Sequence, residues 1–156
     1  MYLALKALHL FAVVLFLGSI ITGLFWKAHG DRTGDPRIIA HTLDGIIRSD
    51  RWFTLPGVGL IILFGVAAAV VGHLPLLRTP WIWQGIVLFS LSGLAFALEV
   101  APLQLRLRAL ATLAAQGGDW DPSTYHRLSR RWELWGLFAI LTPVAALMLM
   151  VLKPAR

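Results

Sequence analysis

The 156-residue chain contains no cysteine. That absence removes disulfides, thiolate metal sites, cysteine nucleophiles and covalent c-type haem attachment through Cys-x-x-Cys-His. Charge is scarce as well: 14% of residues are Asp, Glu, Lys or Arg, against about 25% in ordinary soluble domains. Nor does the sequence hold a Gly-rich phosphate loop, a G-x-S-x-G elbow, a kinase motif or a His-Glu-x-x-His zinc pattern, so the usual soluble-enzyme chemistries find no support. There is no low-complexity tract and no obvious internal repeat.

What fills the space is apolar, 58% of all residues. A run of about 20 such residues is needed to cross a hydrocarbon core of about 30 Å. Four runs qualify, at residues 2–26, 52–71, 81–100 and 132–152. The expected fold class is therefore all-α: a polytopic four-transmembrane-helix bundle in which residues 1–156 form one membrane domain, with the lipid bilayer as its solvent. The first run follows Lys6 as a signal peptide might, but it is longer than an h-region of about 7–15 residues and no A-x-A-like site follows, so it is expected to remain.

The net charge of +6 does not call for nucleic acid, because the basic residues sit where the apolar runs stop. Of fourteen Lys and Arg, ten lie in the two long connections: Lys27, Arg32, Arg37, Arg48 and Arg51, then Arg106, Arg108, Arg127, Arg130 and Arg131. Lys6, Arg78, Lys153 and Arg156 belong to the other side. The positive-inside rule makes both long connections cytoplasmic and both termini external. Trp52, Trp81, Trp83, Trp132 and Trp135 fall near the run ends, as an aromatic belt places them.

Both long connections carry helix signals. Asp35 before Pro36 reads as an N-cap and first helical residue, and Ile38, Ile39, Leu43, Ile46 and Ile47 recur at helical spacing. "PLQLRLRALATLAAQGG" extends the third run until Gly117 and Gly118 stop it, and Asp121 before Pro122 restarts a helix. Helices two and three and the start of helix four are thus expected to project into the cytoplasm. Pro56, Pro102 and Pro143 lie inside apolar runs and are kink positions.

On a helical wheel His9 shares a stripe with Tyr2, Lys6, Val13, Phe16, Ile20 and Gly23, edged by the small pair Ser19 and Gly23, so it is expected to face the bundle. Glu99 lines up with Trp81, Gly85, Leu88, Ser92 and Ala95. An ionisable group in a membrane helix pairs, ligates or moves protons. A neutral imidazole is a common metal ligand, and helix bundles build haem sites from facing side chains. His9 is the candidate axial ligand and His73, at the same end of the bundle, its candidate partner; an interhelical hydrogen bond from His9 is the alternative. Arg51, Glu99, Arg106, Arg131 and Glu133 cluster towards the inner interface, where they form ion pairs, a proton route, or a seat for an anionic group such as a propionate. His29, His41 and His126 lie in polar connections without ligand spacing.

"YLALKALHLFAVVLFLGSIITGLF", "RWFTLPGVGLIILFG", "PLQLRLRALA", "YHRLSRRWELWG" and "VLKP" resemble an uncharacterised bacterial family of predicted integral membrane proteins, over nearly the whole chain. More distantly, Lys6 with His9, Arg51 with Pro56, and Lys153 with Pro154 are similar to the HemJ-type protoporphyrinogen oxidases, small haem-binding membrane proteins, with the copper-resistance protein D family a looser relative. That resemblance implies haem b, His9 as the haem-associated histidine and Arg51 as the arginine of its motif. Where HemJ-type proteins carry a lysine soon after the tryptophan of span three, this chain has Gln84 and Gly85; where they favour Asn-Glu-x-Pro in span four, it has Glu133 alone. The function expected is haem or porphyrin binding for redox or tetrapyrrole handling, with a non-enzymatic membrane module as the alternative: an accessory subunit, or a copper or solute transport component. Partners left open are a porphyrin, a redox partner and further copies of the chain.

Overall fold

Three prolines shape the helices that carry this chain. The computed structural model describes residues 1–153. Six α-helices follow one another: α1 (Tyr2–Asp31), α2 (Pro36–Ser49), α3 (Leu55–Val71), α4 (Pro80–Ala95), α5 (Ala101–Ala115) and α6 (Pro122–Leu152). A π-helical turn, Asp50–Thr54, joins α2 to α3, and another, Phe96–Val100, joins α4 to α5. Pro36–Val71 and Pro80–Ala115 therefore each run as one rod of 36 residues, about 54 Å long. Four rods in all are long and apolar enough to cross a membrane. The two longest overshoot a core of about 30 Å, so α2 and α5 project beyond it.

Each π turn ends two residues before a proline. Pro56 would press its ring on the carbonyl of Trp52 and Pro102 on that of Leu98, four residues back. Widening the turn relieves the clash: the N–H groups of Leu55 and Ala101 reach five residues back, to the carbonyls of Asp50 and Phe96. Pro143 is handled differently. It stays inside α6, and the carbonyl it leaves without a helical donor, that of Ala139, accepts the Ser92 hydroxyl from α4 at 2.6 Å.

The sequence-read ends of α2, α5 and α6 appear where their chemistry puts them. Asp35 caps α2 through the Arg37 N–H at 2.8 Å. Asp121 caps α6 through the N–H groups of Ser123 and Thr124, and the Ser123 hydroxyl, which donates to it at 2.6 Å, does most, with the Thr124 side chain and these backbone bonds, to hold its carboxyl well below the usual carboxylate range. After α5, Gly117 takes a φ of +90°, a conformation glycine adopts without strain, and Gly118 N–H closes on the Leu113 carbonyl at 3.1 Å.

α1 packs against α3 and α4 against α6, as two antiparallel pairs, while α2 packs against α5 at the basic end. Among the described residues no Cα of α3 comes within 8 Å of one in α4 or α6, and none of α1 within 8 Å of α4. Side chains span the gap; Phe16 and Phe89 meet edge to face at 5.5 Å. The larger core lies at the basic end, where Ile39, Leu43, Leu103, Leu107, Ala111, Tyr125 and Trp132 pack together. Leu43 and Leu107 are fully buried, each stabilising by about 2 kcal/mol where the helix ends stand in water.

Four expectations need correction. Ile38, read as part of the buried face of α2, is exposed, because it stands one residue off the stripe that meets α5. Lys6 is exposed while His9, Val13 and Phe16 on the same stripe are not. Trp52, Trp83 and Trp135 are exposed as belt residues should be, but Trp132 is only 3% exposed: it faces inward, where Lys27 Nζ lies 5.1 Å from its ring centre. Lys27, counted as a solvated topological charge, is 1% exposed. Pro154 and Arg156 lie outside the described residues.

Candidate functional site

His9 is half-buried between α1 and α3. Its Nδ1 donates to the Ile61 carbonyl at 2.9 Å, and its ring lies over Gly65, where a Cβ would come within 3.0 Å of Nδ1 and Cε1. Only a residue without a side chain lets the imidazole lie this close to α3. With Nδ1 carrying the proton, Nε2 is the basic nitrogen; it has no hydrogen-bond partner among the described residues and is not sealed from the surface of the bundle.

The structure does not bring the other two expected cofactor residues to His9. His73 is exposed, with a φ of 51° in the turn after α3. It follows Gly72, which packs on Tyr2, and stands about 12 Å along the axis from the Gly65 level. Arg51 is exposed in the first π turn, about 21 Å from that level in the other direction. Among the described residues no group of three His, Asp or Glu could hold a metal ion.

The inner-interface set divides. Arg131 Nη2 reaches both carboxylate oxygens of Glu99 at 2.8 Å, tying α6 to the second π turn. Glu133 accepts the Ser129 hydroxyl at 2.9 Å and lies 3.8 Å from Lys27 Nζ. Arg106 is exposed. His29, His41 and His126 are exposed too.

Two polar clusters were not foreseen. In the first, Lys27 donates to Asp31 at 2.5 Å and to Ser129 at 2.6 Å, and Tyr125 donates its hydroxyl to the second Asp31 oxygen at 2.7 Å. A buried ammonium needs such a cage, and it clamps the end of α1 to the start of α6. In the second, Asp50 accepts Thr54 Oγ1 at 2.8 Å on one oxygen and Gln104 Nε2 at 3.0 Å on the other. Ser19 bonds Thr54 and Ser49, each at 3.1 Å. Since Thr54 spends its one proton on Asp50, Ser19 must donate to Thr54 and Ser49 to Ser19. This one-way chain joins α1, α2, the first π turn and α5.

Above that chain lies a cavity of about 190 Å³ between the two helix pairs. Phe16, Phe89, Phe96 and Trp132 wall it, and Asp50 and Gln104 stand at its polar end. Residues of both π turns line it, and π turns recur at functional sites. The Trp132 indole N–H is buried without an acceptor among the described residues.

The family described as predicted integral membrane protein (DUF2269) matches residues 3–154. The chain belongs to this family. Membership of DUF2269 makes it an integral membrane protein, and its four apolar rods are the segments able to cross. No curated protein and no solved structure matches it. Of the residues of this DUF2269 chain missed from sequence, Lys27, Asp31, Asp50, Gln104 and Ser129, the first two carried a faint signal: they are spaced i, i+4, which places them on one helix face.

Proposed function

We propose that the protein is a multi-pass membrane protein that binds b-type haem or a related porphyrin through His9, for redox or tetrapyrrole handling. The observation that supports this reading is the fixing of His9 by its Nδ1 bond to the Ile61 carbonyl with Nε2 left over. Ligating histidines carry this arrangement, since the second-shell acceptor sets the tautomer and raises the basicity of the coordinating nitrogen. The donor set fits one axial position. It does not fit a bis-histidine site, because His73 stands in the turn past the end of α3, about 12 Å along the axis from the Gly65 level. Bound haem would supply a one-electron centre; the chain's own part is to hold and orient the ligand nitrogen, and no catalytic residue is assigned. The resemblance of Lys6 with His9 and of Arg51 with Pro56 to HemJ-type proteins implies the same cofactor, whereas that to copper-resistance D proteins belongs with the second reading below. The ten-to-four distribution of basic residues supports both termini outside, and the resemblance to a bacterial family implies a bacterial inner membrane.

Absorption spectroscopy tests the proposal. Protein purified from cells supplied with haem precursor should show a Soret band, and His9→Ala should lose it while still inserting four helices. Colourless wild-type protein would overturn it. That result would favour the second reading, a non-enzymatic membrane module serving a larger complex or passing copper or a solute, for which the cavity between the helix pairs speaks.

A further inference from the structure

The chain has eight acidic residues, and seven have an ordinary role. Asp31 and Glu133 flank Lys27, Asp44 pairs with Arg48 and Arg108, and Glu99 pairs with Arg131. Asp35 and Asp121 cap helices, and Asp119 is exposed in a turn. Asp50 differs: it stands at the wall of the cavity with no Lys, Arg or His within 4 Å among the described residues. Neighbouring Arg51 turns its side chain outward. Lys27, beyond Trp132, is already matched by Asp31 and Glu133. Thr54 and Gln104 each fill one acceptor position on Asp50, and a carboxylate has about four.

We infer that the cavity between the helix pairs is a binding site for a small organic cation with an apolar body, its ammonium group meeting Asp50 and its body lying among Phe16, Phe89, Phe96 and Trp132. The hydroxyl chain fixes the carboxylate in place, so the guest does not have to order it. At about 190 Å³ the cavity is smaller than drug-sized sites of about 300–1,000 Å³, which limits the guest to roughly one ring or a short branched chain. The site shares no residue with His9 and stands whether or not haem is bound.

The test compares benzylammonium with benzyl alcohol, which share a shape and differ in charge, on the full chain in nanodiscs at neutral pH. The readout is the indole N–H resonance of Trp132, assigned by its loss in Trp132→Phe. Benzylammonium should move it saturably, with a Kd about tenfold or more below that of benzyl alcohol. In Asp50→Asn, which keeps a similar shape, Thr54 still donates to the remaining oxygen and Gln104 must turn its amide to accept from the new NH2; the two probes should bind alike, and alcohol binding that survives shows an intact cavity. Equal affinities in the wild type, a charge preference that persists in Asp50→Asn, or no movement with either probe would overturn the inference. As a second variant, Gly136→Val fills the cavity at a position where a Cβ meets only Leu24, at 3.7 Å, and should abolish binding of both probes; unchanged binding would place the site elsewhere.

Discussion

Ser92 donates its hydroxyl to the carbonyl of Ala139 across 2.6 Å, and Ala139 is the carbonyl that Pro143 deprives of its helical partner. A side chain on α4 thereby replaces a backbone donor on α6, as membrane helices require where no water can do so. Ser92→Ala should destabilise the protein by about 0.6–1.7 kcal/mol in an SDS titration. In a Pro143→Ala background, where the helix can supply its own donor, the same change should cost clearly less. Equal costs in the two backgrounds would show that the bond does not compensate for the proline.

The Lys27 cage predicts a different pattern. Removing one member of a fully buried pair costs about 3–5 kcal/mol. Because the Asp31 side chain retains 21% exposure, the cost of Lys27→Met should be lower, about 2 kcal/mol. Adding Asp31→Asn should recover part of the loss, since the remaining carboxylate no longer needs a cation and Tyr125 keeps its acceptor. A double-mutant cycle reads this directly; strict additivity would mean that the two residues are not coupled in solution.

These two clusters mark where reading the sequence stops. The four crossings were legible because hydropathy accumulates over about 20 residues and needs no partner. So were the helix starts at Asp35-Pro36 and Asp121-Pro122, which are local chemistry. The fate of Lys27 was not legible: Ser129, its partner, is 102 positions away, and a lysine at the end of an apolar run looks the same whether it meets water or another helix. Asp50 was hidden likewise, its neighbour Gln104 lying on another rod. Proline positions announced irregularity in the helices, but whether a π turn or a borrowed hydroxyl would absorb it depends on what stands opposite.

Gly65 offers a way to move His9 without replacing it. A Cβ there comes within 3.0 Å of the ring, so Gly65→Ala should push the imidazole off the Ile61 carbonyl. The loss in stability should be modest, about 0.6 kcal/mol, and the ¹⁵N signals of His9 should show Nδ1 released. If His9 holds haem, the haem-to-protein ratio should fall in the same variant. Nitrogen signals identical to wild type would mean that the ring is not confined by Gly65.

Orientation is open to a direct test because the basic residues are so unevenly divided. Lys153 Nζ lies 5.4 Å from the ring centre of Trp81, so the end of α6 and the start of α4 share one face of the bundle, and Tyr2 against Gly72 brings the start of α1 to the end of α3. That face carries few charges, whereas α2, α5 and their connections carry most of the Lys and Arg. The positive-inside rule predicts that the rich face is retained in the cytoplasm. A reporter active only outside the cytoplasm should therefore work when fused after Arg156 and be silent when inserted between Gly117 and Asp119. The opposite pattern would invert the molecule. His9 would then sit near the inner surface, and the Asp50 cavity would lie towards the outside, which changes from which side an organic cation could reach it.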